Sequence, residues 1–391
     1  MPGPLMIVAG EASGDLHGAR LLAELRRILP ELEAFGLGSD ELRSAGLDTL
    51  ADSSEISVVG IVEALKILPQ ARRLFRKLVD GAVVRRPAAA LLIDSPDFNL
   101  RLAKPLKELG VEVIYYISPQ VWAWRKGRVH KIRRRVDHML VLFPFEVEFY
   151  RRYGMDVTLV GHPLVDEVPE LPQRWERPDA AGGPFRIALL PGSRKSEVEA
   201  LLPSLVGAVD RLAERLHSGH RAIEVRLVRA PALSVDWVNE RLAALAPETA
   251  IEVVSSKRFE VIADSHLALT ASGTATLETG LLTTPMIVVY RLATWTYWLA
   301  RWMVRLPHFS LVNLVLGRGV VPERLQKDAE PAALAEEAYA LLTHPQRCQE
   351  MRHALAELRG RLGQRGASTR AARAVAEILV PGGAAAAAEE V

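Results

Sequence analysis

Four stretches of the chain combine residue types and spacings that could do chemistry. Asp94-Ser95-Pro96-Asp97-Phe98-Asn99 sets two carboxylates among turn formers, directly after the apolar run Ala88 to Ile93. A carboxylate placed there could take a proton from a hydroxyl group. Gly192, Ser193 and Arg194 offer backbone N–H groups, a hydroxyl and a guanidinium, the components of an anion site at a helix N-terminus. Ser272, Gly273 and Thr274 offer a second amide cradle for a diphosphate, and Glu278, one turn on, could hold a pair of sugar hydroxyls. The opening turn GEASGD, Gly10 to Asp15, stands between a strand and a helix, where an anion or a polar sugar group can dock. Each stretch also has a purely structural reading. Asp94 or Asp97 could cap the next helix, the hydroxyls at 272–274 could be caps, and Gly10 and Gly14 could serve turn geometry alone.

These residues need elements that hold them. Ala88 to Ile93 is short and unbroken, as in a strand buried on both faces of a parallel sheet, and a helical pattern resumes from Leu100 to Leu109. Ligands of such sheets bind outside the strands' carboxyl ends, so Asp94 stands at the lip of a crevice. Further strands are expected at Leu5–Ala9, Ala34–Gly38, Val111–Ile117, Val136–Phe143 and Val157–Val160. Helices are expected at Leu16–Leu29, Asp40–Ala45 and Phe145–Tyr153. Pro163, Pro169, Pro172, Pro178 and Pro184, with Gly182 and Gly183, mark Leu164 to Pro184 as a linker. The pattern then restarts: strands at Arg186–Leu190, Ile223–Val228, Ile251–Val254 and Ser265–Leu269, and a long helix Val198–Leu216. Gly317 to Gln326 reads as an irregular site loop, and three helices from Pro331 close the chain before the tail Pro381 to Val391. The fold class is therefore α/β, with two Rossmann-like doubly wound lobes facing a cleft. The expected divisions are an N-terminal domain over 1–165, a linker over 166–184, a C-terminal domain over 185–364, a helix over 365–380 returning to an N-terminal domain, and a disordered tail over 381–391.

Composition excludes several classes. The 391 residues suit two domains, and the apolar fraction of 49% with 25% charged residues is that of a globular protein. Net charge is 49 − 47 = +2, so nothing global calls for nucleic acid. The single Cys348 allows no intramolecular disulfide and no Cys-based zinc site. No secretory signal is read, and Glu278, Arg291, Arg301 and Arg305 interrupt the best membrane-spanning candidates, which points to a cytoplasmic chain. Three surfaces stay open to two readings. Val58 to Leu68, Val62 included, and the Trp295, Trp298 and Trp302 stripe read as core or as faces that meet acyl chains. Between Arg125 and Arg135 lie seven Lys or Arg residues, Arg128 among them, whose place after a strand favours an anionic headgroup over a polynucleotide.

In this order and spacing, GEASGD, DSPDFN, SPQVWAWRKGRVHKI, LPGSRKSEV, SGTATLE and NLVLGRGVVPERLQ strongly resemble the lipid-A-disaccharide synthases, from about Leu5 to about Leu379. The resemblance implies a glycosyltransferase fold of the B type in a Gram-negative bacterium's lipid A branch of lipopolysaccharide synthesis. The implied reaction is inverting: UDP-2,3-diacylglucosamine and 2,3-diacylglucosamine 1-phosphate (lipid X) give a β-1,6-linked disaccharide 1-phosphate and UDP. It also implies a peripheral enzyme of the inner membrane, no cofactor, and a homodimer with C-terminal domain exchange. Carried over residue by residue, the family's essential aspartate falls on Asp94 and its PGSR arginine on Arg194. Glu11, Ser13 and Gly14 match the opening turn, Glu278 the SGTATLE carboxylate and Asn313 the NL-x-LG asparagine, with Gln326 ending that segment. Val312 departs from the pattern, which has proline there.

On these residues, Asp94 is the expected base, with Asp97 its rival. Arg194, aided by amides after Gly192 and Ser272, would stabilise departing UDP, and Glu278 would hold the ribose. No DxD-type carboxylate pair lies near the diphosphate residues, so no essential metal is expected. Two other functions fit the fold: an epimerase acting at C2 of UDP-N-acetylglucosamine, and a non-catalytic sugar-nucleotide or lipid-binding protein. Neither needs both a second sugar substrate and acyl-binding surfaces.

Overall fold

The computed structural model describes residues 3–52, 61–122, 126–171, 183–217, 221–291 and 308–381, with the backbone alone at 61–68 and 126. Val58, Arg125, Trp295, Trp298, Trp302, most of the proline-rich linker and all but the start of the tail lie outside the described residues, as does the side chain of Val62.

The chain divides into two compact units, one of Met1–Pro163 with Gln364–Val391 and one of Leu164–Gly363. The first is built on β1 (Leu5–Ala9), β2 (Ala34–Gly38), β3 (Asp48–Asp52), β4 (Ala89–Ile93), β5 (Glu112–Tyr116), β6 (His138–Val141) and β7 (Thr158–Leu159). These form one seven-stranded sheet in the order β3-β2-β1-β4-β5-β6-β7, and every pairing in it is parallel. β1 and β4 are buried at every residue, which is what their unbroken apolar runs require when helices cover both faces. The helices are α1 (Ala12–Ile28), α2 (Asp40–Ser44), α3 (Ile61–Arg85), α4 (Pro96–Glu108), α5 (Val129–Arg133) and α6 (Pro144–Arg151).

The second unit contains β8 (Phe185–Leu190), β9 (Ile223–Val228), β10 (Ile251–Val254), β11 (Leu267–Ala271), β12 (Met286–Tyr290) and β13 (Glu323–Leu325). Its six-stranded sheet has the order β10-β9-β8-β11-β12-β13 and is also parallel throughout. Its helices are α7 (Leu164–Glu167), α8 (Lys195–His217), α9 (Val235–Leu245), α10 (Arg258–Ala263), α11 (Thr274–Leu281), α12 (Leu311–Leu316), α13 (Pro331–Thr343) and α14 (Pro345–Leu362). The last helix, α15 (Ala367–Leu379), belongs to the first unit. It lies on α1, where Thr369 Oγ1 donates to Glu24 at 3.0 Å, and Arg370 Nε donates to the Val160 carbonyl at 2.8 Å.

Several boundaries differ from the sequence reading. The helix after β4 starts at Pro96, not Leu100, because proline preset at its first position needs no N–H partner. α8 begins at Lys195, α7 forms between Pro163 and Pro169 of the expected linker, and β11 lies two residues later than expected. Gly317 to Gln326 is not wholly irregular, since Glu323–Leu325 closes the sheet's edge beside β12. β3 and β12 fall outside the strands expected from the sequence.

The opening turn shows how sequence becomes packing. Gly14 and Gly18 of α1 face the sheet, and a Cβ at Gly18 would stand 2.8 Å from Ile93 Cδ1, so the helix lies closer to β4 than other residues allow. Asp15, buried beside them, accepts the backbone N–H of Ser39 at 2.6 Å and of Glu41 at 3.0 Å, holding the start of α2. Removing that carboxylate strands two donors. Asp15→Ala is expected to lower the stability of the unit by about 3 kcal/mol, or about 10 °C in Tm for a unit of this size. Thermal unfolding followed by circular dichroism measures it, and an unchanged Tm would show that the two amides find other partners.

Candidate active site

In each sheet the strand order reverses once, between β1 and β4 and between β8 and β11. Crevices open at such switch points, outside the carboxyl ends of the flanking strands. The four stretches singled out in the sequence are the four loops that leave those ends.

In the first unit, Ala9 pairs with Ile93, so Glu11 and Asp94 leave neighbouring strands at one level. Glu11 and Ser13 are exposed at the start of α1, and Gly14 is buried beneath them. Asp94 and Ser95 both take left-handed backbone conformations, with φ of +48° and +43°. Two consecutive non-glycine residues there are strained, and such strain concentrates at functional sites. The surroundings hold it in place. Asn99 Nδ2, from the first turns of α4, donates to the carbonyls of Ile93 at 2.9 Å and Asp94 at 2.8 Å. Tyr115 Oη donates to the Asp94 carbonyl at 2.5 Å, and the Asp94 N–H donates to Tyr116 O at 3.0 Å. Burial pushes the Tyr115 phenol well above its ordinary range, and the Asp94 charge adds to the effect. Neither Asp94 nor Asp97 caps α4; the N-cap position is Ser95, with no side-chain cap bond. Asp97 is exposed and ion-paired with Arg128, so one cation of the basic run is held at this turn.

Behind the turn, at the carboxyl ends of β5 and β6, Glu146 is buried. Its carboxylate accepts the backbone N–H of Leu142 at 3.1 Å and Phe143 at 3.0 Å, and Trp122 Nε1 at 3.2 Å. Trp122 stands edge-on to Phe145, ring centroids 4.9 Å apart. His162 is buried and His17 half-buried, and desolvation pulls their imidazoles down to about 3 and about 4.

In the second unit, Leu190 pairs with Thr270, which levels the PGSR turn with the Ser272 turn. Gly192 has φ of +119° and Gly273 of +148°, conformations that favour glycine, and the space beside Gly273 is open to 4 Å. The Ser272 N–H donates to Val289 O at 3.1 Å and its hydroxyl donates to Phe309 O at 3.2 Å. Thr274 is exposed at the first position of α11, where the helix N–H groups are unpaired by geometry. Glu278 is mostly buried, and burial raises its carboxyl against the opposing pull of Arg258, whose Nη2 is 3.5 Å away.

Two expectations are corrected here. The Ser193 amide is not free for an anion, because Glu197 Oε2 already accepts it at 3.0 Å. Asn313 is buried and its amide is fully engaged: Nδ2 donates to Val321 O at 2.9 Å and Glu323 Oε1 at 2.7 Å, while Oδ1 accepts from Val320 at 2.8 Å and Val321 at 3.0 Å. It shapes the segment after α12 instead of reaching outward. Val312, where the pattern has proline, is buried within α12 and leaves that helix intact. Gln326 follows β13 with φ of +50°. Sequence reasoning missed Tyr115, Glu146, Glu197, Arg258 and Glu323. Glu146 and Glu197 carried a readable signal, an acid in the first turn of a helix. Among the described residues, no group of three or more His, Cys, Asp or Glu is placed to hold a metal ion. No helix among them is long and apolar enough to cross a membrane.

A family model described as lipid-A-disaccharide synthetase matches residues 5–378. The lipid-A-disaccharide synthase of Myxococcus xanthus is 44% identical over 97% of this chain and 99% of its own length. Among solved structures, a putative UDP-N-acetylglucosamine 2-epimerase from Listeria monocytogenes superposes with a TM-score of 0.61 at 15% identity, covering 96% of each chain. The calicheamicin glycosyltransferase CalG4 superposes at 0.59 with 14% identity, covering 98% of this chain and 99% of its own. Likeness at that identity speaks for the fold, a B-type arrangement of two parallel α/β units.

Glu146 gives this region a pH signature. Burial lifts its carboxyl from an ordinary 4.5 to about 7, against hydrogen bonds that favour the charge. The folded state therefore binds the extra proton between those values, and stability falls as pH rises from 4.5 to about 7. The two histidines act with the opposite sign, giving stability above 6.5 that is lost as pH falls toward 4 and 3. Glu146→Gln removes only the first contribution. The Tm difference, variant minus wild type, is expected to climb between pH 4.5 and 7 and level off beyond. Scanning calorimetry across that window reads it; a flat difference would mean that this carboxyl titrates in its ordinary range.

Proposed function

The chain belongs to the lipid-A-disaccharide synthetase family, and we infer that it is the glycosyltransferase that forms the lipid A disaccharide. On this reading the donor is UDP-2,3-diacylglucosamine and the acceptor is 2,3-diacylglucosamine 1-phosphate. The acceptor's 6-hydroxyl oxygen attacks the anomeric carbon from the face opposite UDP. The new C–O bond forms as the bond to the β-phosphate oxygen breaks, so the α-linked donor becomes a β-1,6-linked disaccharide 1-phosphate. The hydroxyl proton goes to a carboxylate, and the electron pair leaves with UDP.

Asp94 is the base in this proposal. The observation that carries it is the doubly left-handed turn, which holds a carboxylate at the switch point by three hydrogen bonds to its backbone. A base that must meet one hydroxyl in one direction gains from such rigidity. Asp97, on the first turn of α4 and ion-paired with Arg128, is the rival choice. Arg194 would take charge developing on the diphosphate, with the open face of Gly273 and the first amides of α11 beside it. Glu278, held 3.5 Å from Arg258 Nη2, would accept the ribose hydroxyls. Glu11, Ser13 and Gly14 would border the acceptor. No metal enters the scheme, since cationic and N–H donors serve the leaving group.

Both substrates carry acyl chains, so the protein must meet a membrane surface, and no helix among the described residues is long and apolar enough to cross it. We place that contact on Val58, Val62 and Trp295, Trp298 and Trp302, with Arg125 as a cation for anionic headgroups. Arg128 is engaged at the Asp94 turn and contributes less.

Incubating the protein with both substrates and following products by mass spectrometry tests the reaction. Disaccharide phosphate and UDP are expected, unchanged in excess EDTA. Asp94→Asn should reduce turnover by about 10²- to 10⁴-fold, the range for a lost acid–base group, and Asp97→Asn far less. If only Asp97→Asn abolishes product, the base is misassigned; if UDP-N-acetylglucosamine is epimerised and no disaccharide forms, the reaction is. Co-sedimentation with vesicles tests the surface. Binding should increase with anionic lipid and drop with Trp298→Glu, and indifference to both would remove this surface from the account.

A further inference from the structure

The anion turn of the second unit is occupied from within. Glu197 stands in the first turn of α8 and bends its carboxylate back over the PGSR loop. Oε2 accepts the backbone N–H of Ser193 at 3.0 Å and of Arg194 at 3.2 Å, and Oε1 accepts Arg194 Nη1 at 3.2 Å. The contact is close: a Cβ at Gly192 would stand 2.7 Å from Oε2, so only glycine admits the carboxylate. Two N–H groups of a helix start and one guanidinium are the donors that an incoming phosphate group would use. Glu197 is held as such a ligand would be. Its charge is also felt at the end of β12, where it adds to the burial that raises the Tyr290 phenol, with Arg194 opposing.

We propose that Glu197 is a positioning residue for Arg194 and an internal competitor for the donor's diphosphate. While no nucleotide is bound, the carboxylate fixes the turn and the guanidinium. When the diphosphate enters, it takes over these donors, because a carboxylate left beside it would meet like charge. The apparent affinity for UDP is then the intrinsic affinity reduced by the fraction of molecules in which Glu197 holds the turn. This rests on the assignment of the Arg194 turn to the diphosphate.

A glutamine at this position keeps an oxygen acceptor for the two amides and loses the charge that competes. Calorimetric titration of the full chain with UDP should therefore show Glu197→Gln binding more tightly than wild type, by about threefold or more. Uridine, which lacks the diphosphate, should bind both proteins alike, and Tm should shift little. A helix cap with no further role predicts the reverse, unchanged or weaker UDP binding with lowered Tm, and that result overturns the proposal. Equal tightening toward uridine overturns it too. Arg194→Ala separates the two assignments. If it binds UDP as wild type does, the diphosphate lies elsewhere and both readings fall. If it weakens UDP binding while Glu197→Gln fails to tighten it, only the competitor role is lost.

Discussion

The reversal of strand order in the middle of each parallel sheet is the constraint on which the remaining features depend. Right-handed crossovers from β1 and from β4 carry the chain to opposite sides of the sheet, so the loops leaving these neighbouring strands diverge. β8 and β11 repeat the arrangement in the second unit. Because each sheet is parallel throughout, its carboxyl ends lie along one edge of that sheet, and the two level pairs, Ala9 with Ile93 and Leu190 with Thr270, bring two chemistry-bearing turns together in each unit. The apolar runs that bury β1 and β4 on both faces are therefore also what aims Asp94.

That aim carries strain. Two successive left-handed residues cost about 1–2 kcal/mol each, against hydrogen bonds from Asn99, Tyr115 and the Asp94 amide worth about 1 kcal/mol apiece. The two sums are of the same size, which is why the turn needs all of them. Asp94's partners in these bonds come from α4 and β5, elements with their own burial to hold them. The Asp94 backbone on such a turn has little freedom to reorient, which on the proposed assignment would serve proton transfer along one direction.

What was legible in the chain follows from what each signal measures. Continuous apolar runs such as Leu5–Ala9 and Ala89–Ile93 report burial on both faces, and they were read correctly as strands. The start of α4 was missed because Asp94 to Asn99 has no apolar period: its helix is fixed by Pro96 and by Asn99 reaching back to carbonyls, interactions that periodicity does not record. β13 escaped notice because an edge strand of three half-buried residues has almost no pattern to show. Motif resemblance singled out Arg194, Glu278 and Asn313, but not what they touch. Only coordinates reveal that the Asn313 amide is used up internally or that Glu278 has Arg258 as its neighbour.

The same limit explains an apparent paradox of the second unit, whose proposed place for a doubly charged diphosphate is lined by carboxylates. Glu197 accepts two backbone amides and a guanidinium. Glu323 Oε2 accepts Phe309 N–H at 2.8 Å, and its Oε1 accepts Ser310 N–H at 3.0 Å besides the Asn313 amide. Each acid thus neutralises donors that would otherwise spread positive potential over the turn and hold any passing anion. Through Phe309, whose carbonyl takes the Ser272 hydroxyl, the Glu323 cluster is also tied to the second cradle. A basic pocket without such acids would bind UDP tightly both as part of the donor and as the released product. A turn whose donors are already matched exchanges one anion for another, so the gain on binding is a difference between two similar terms. On the proposed assignment, that difference would let a transferase hold the diphosphate during transfer and release it afterwards.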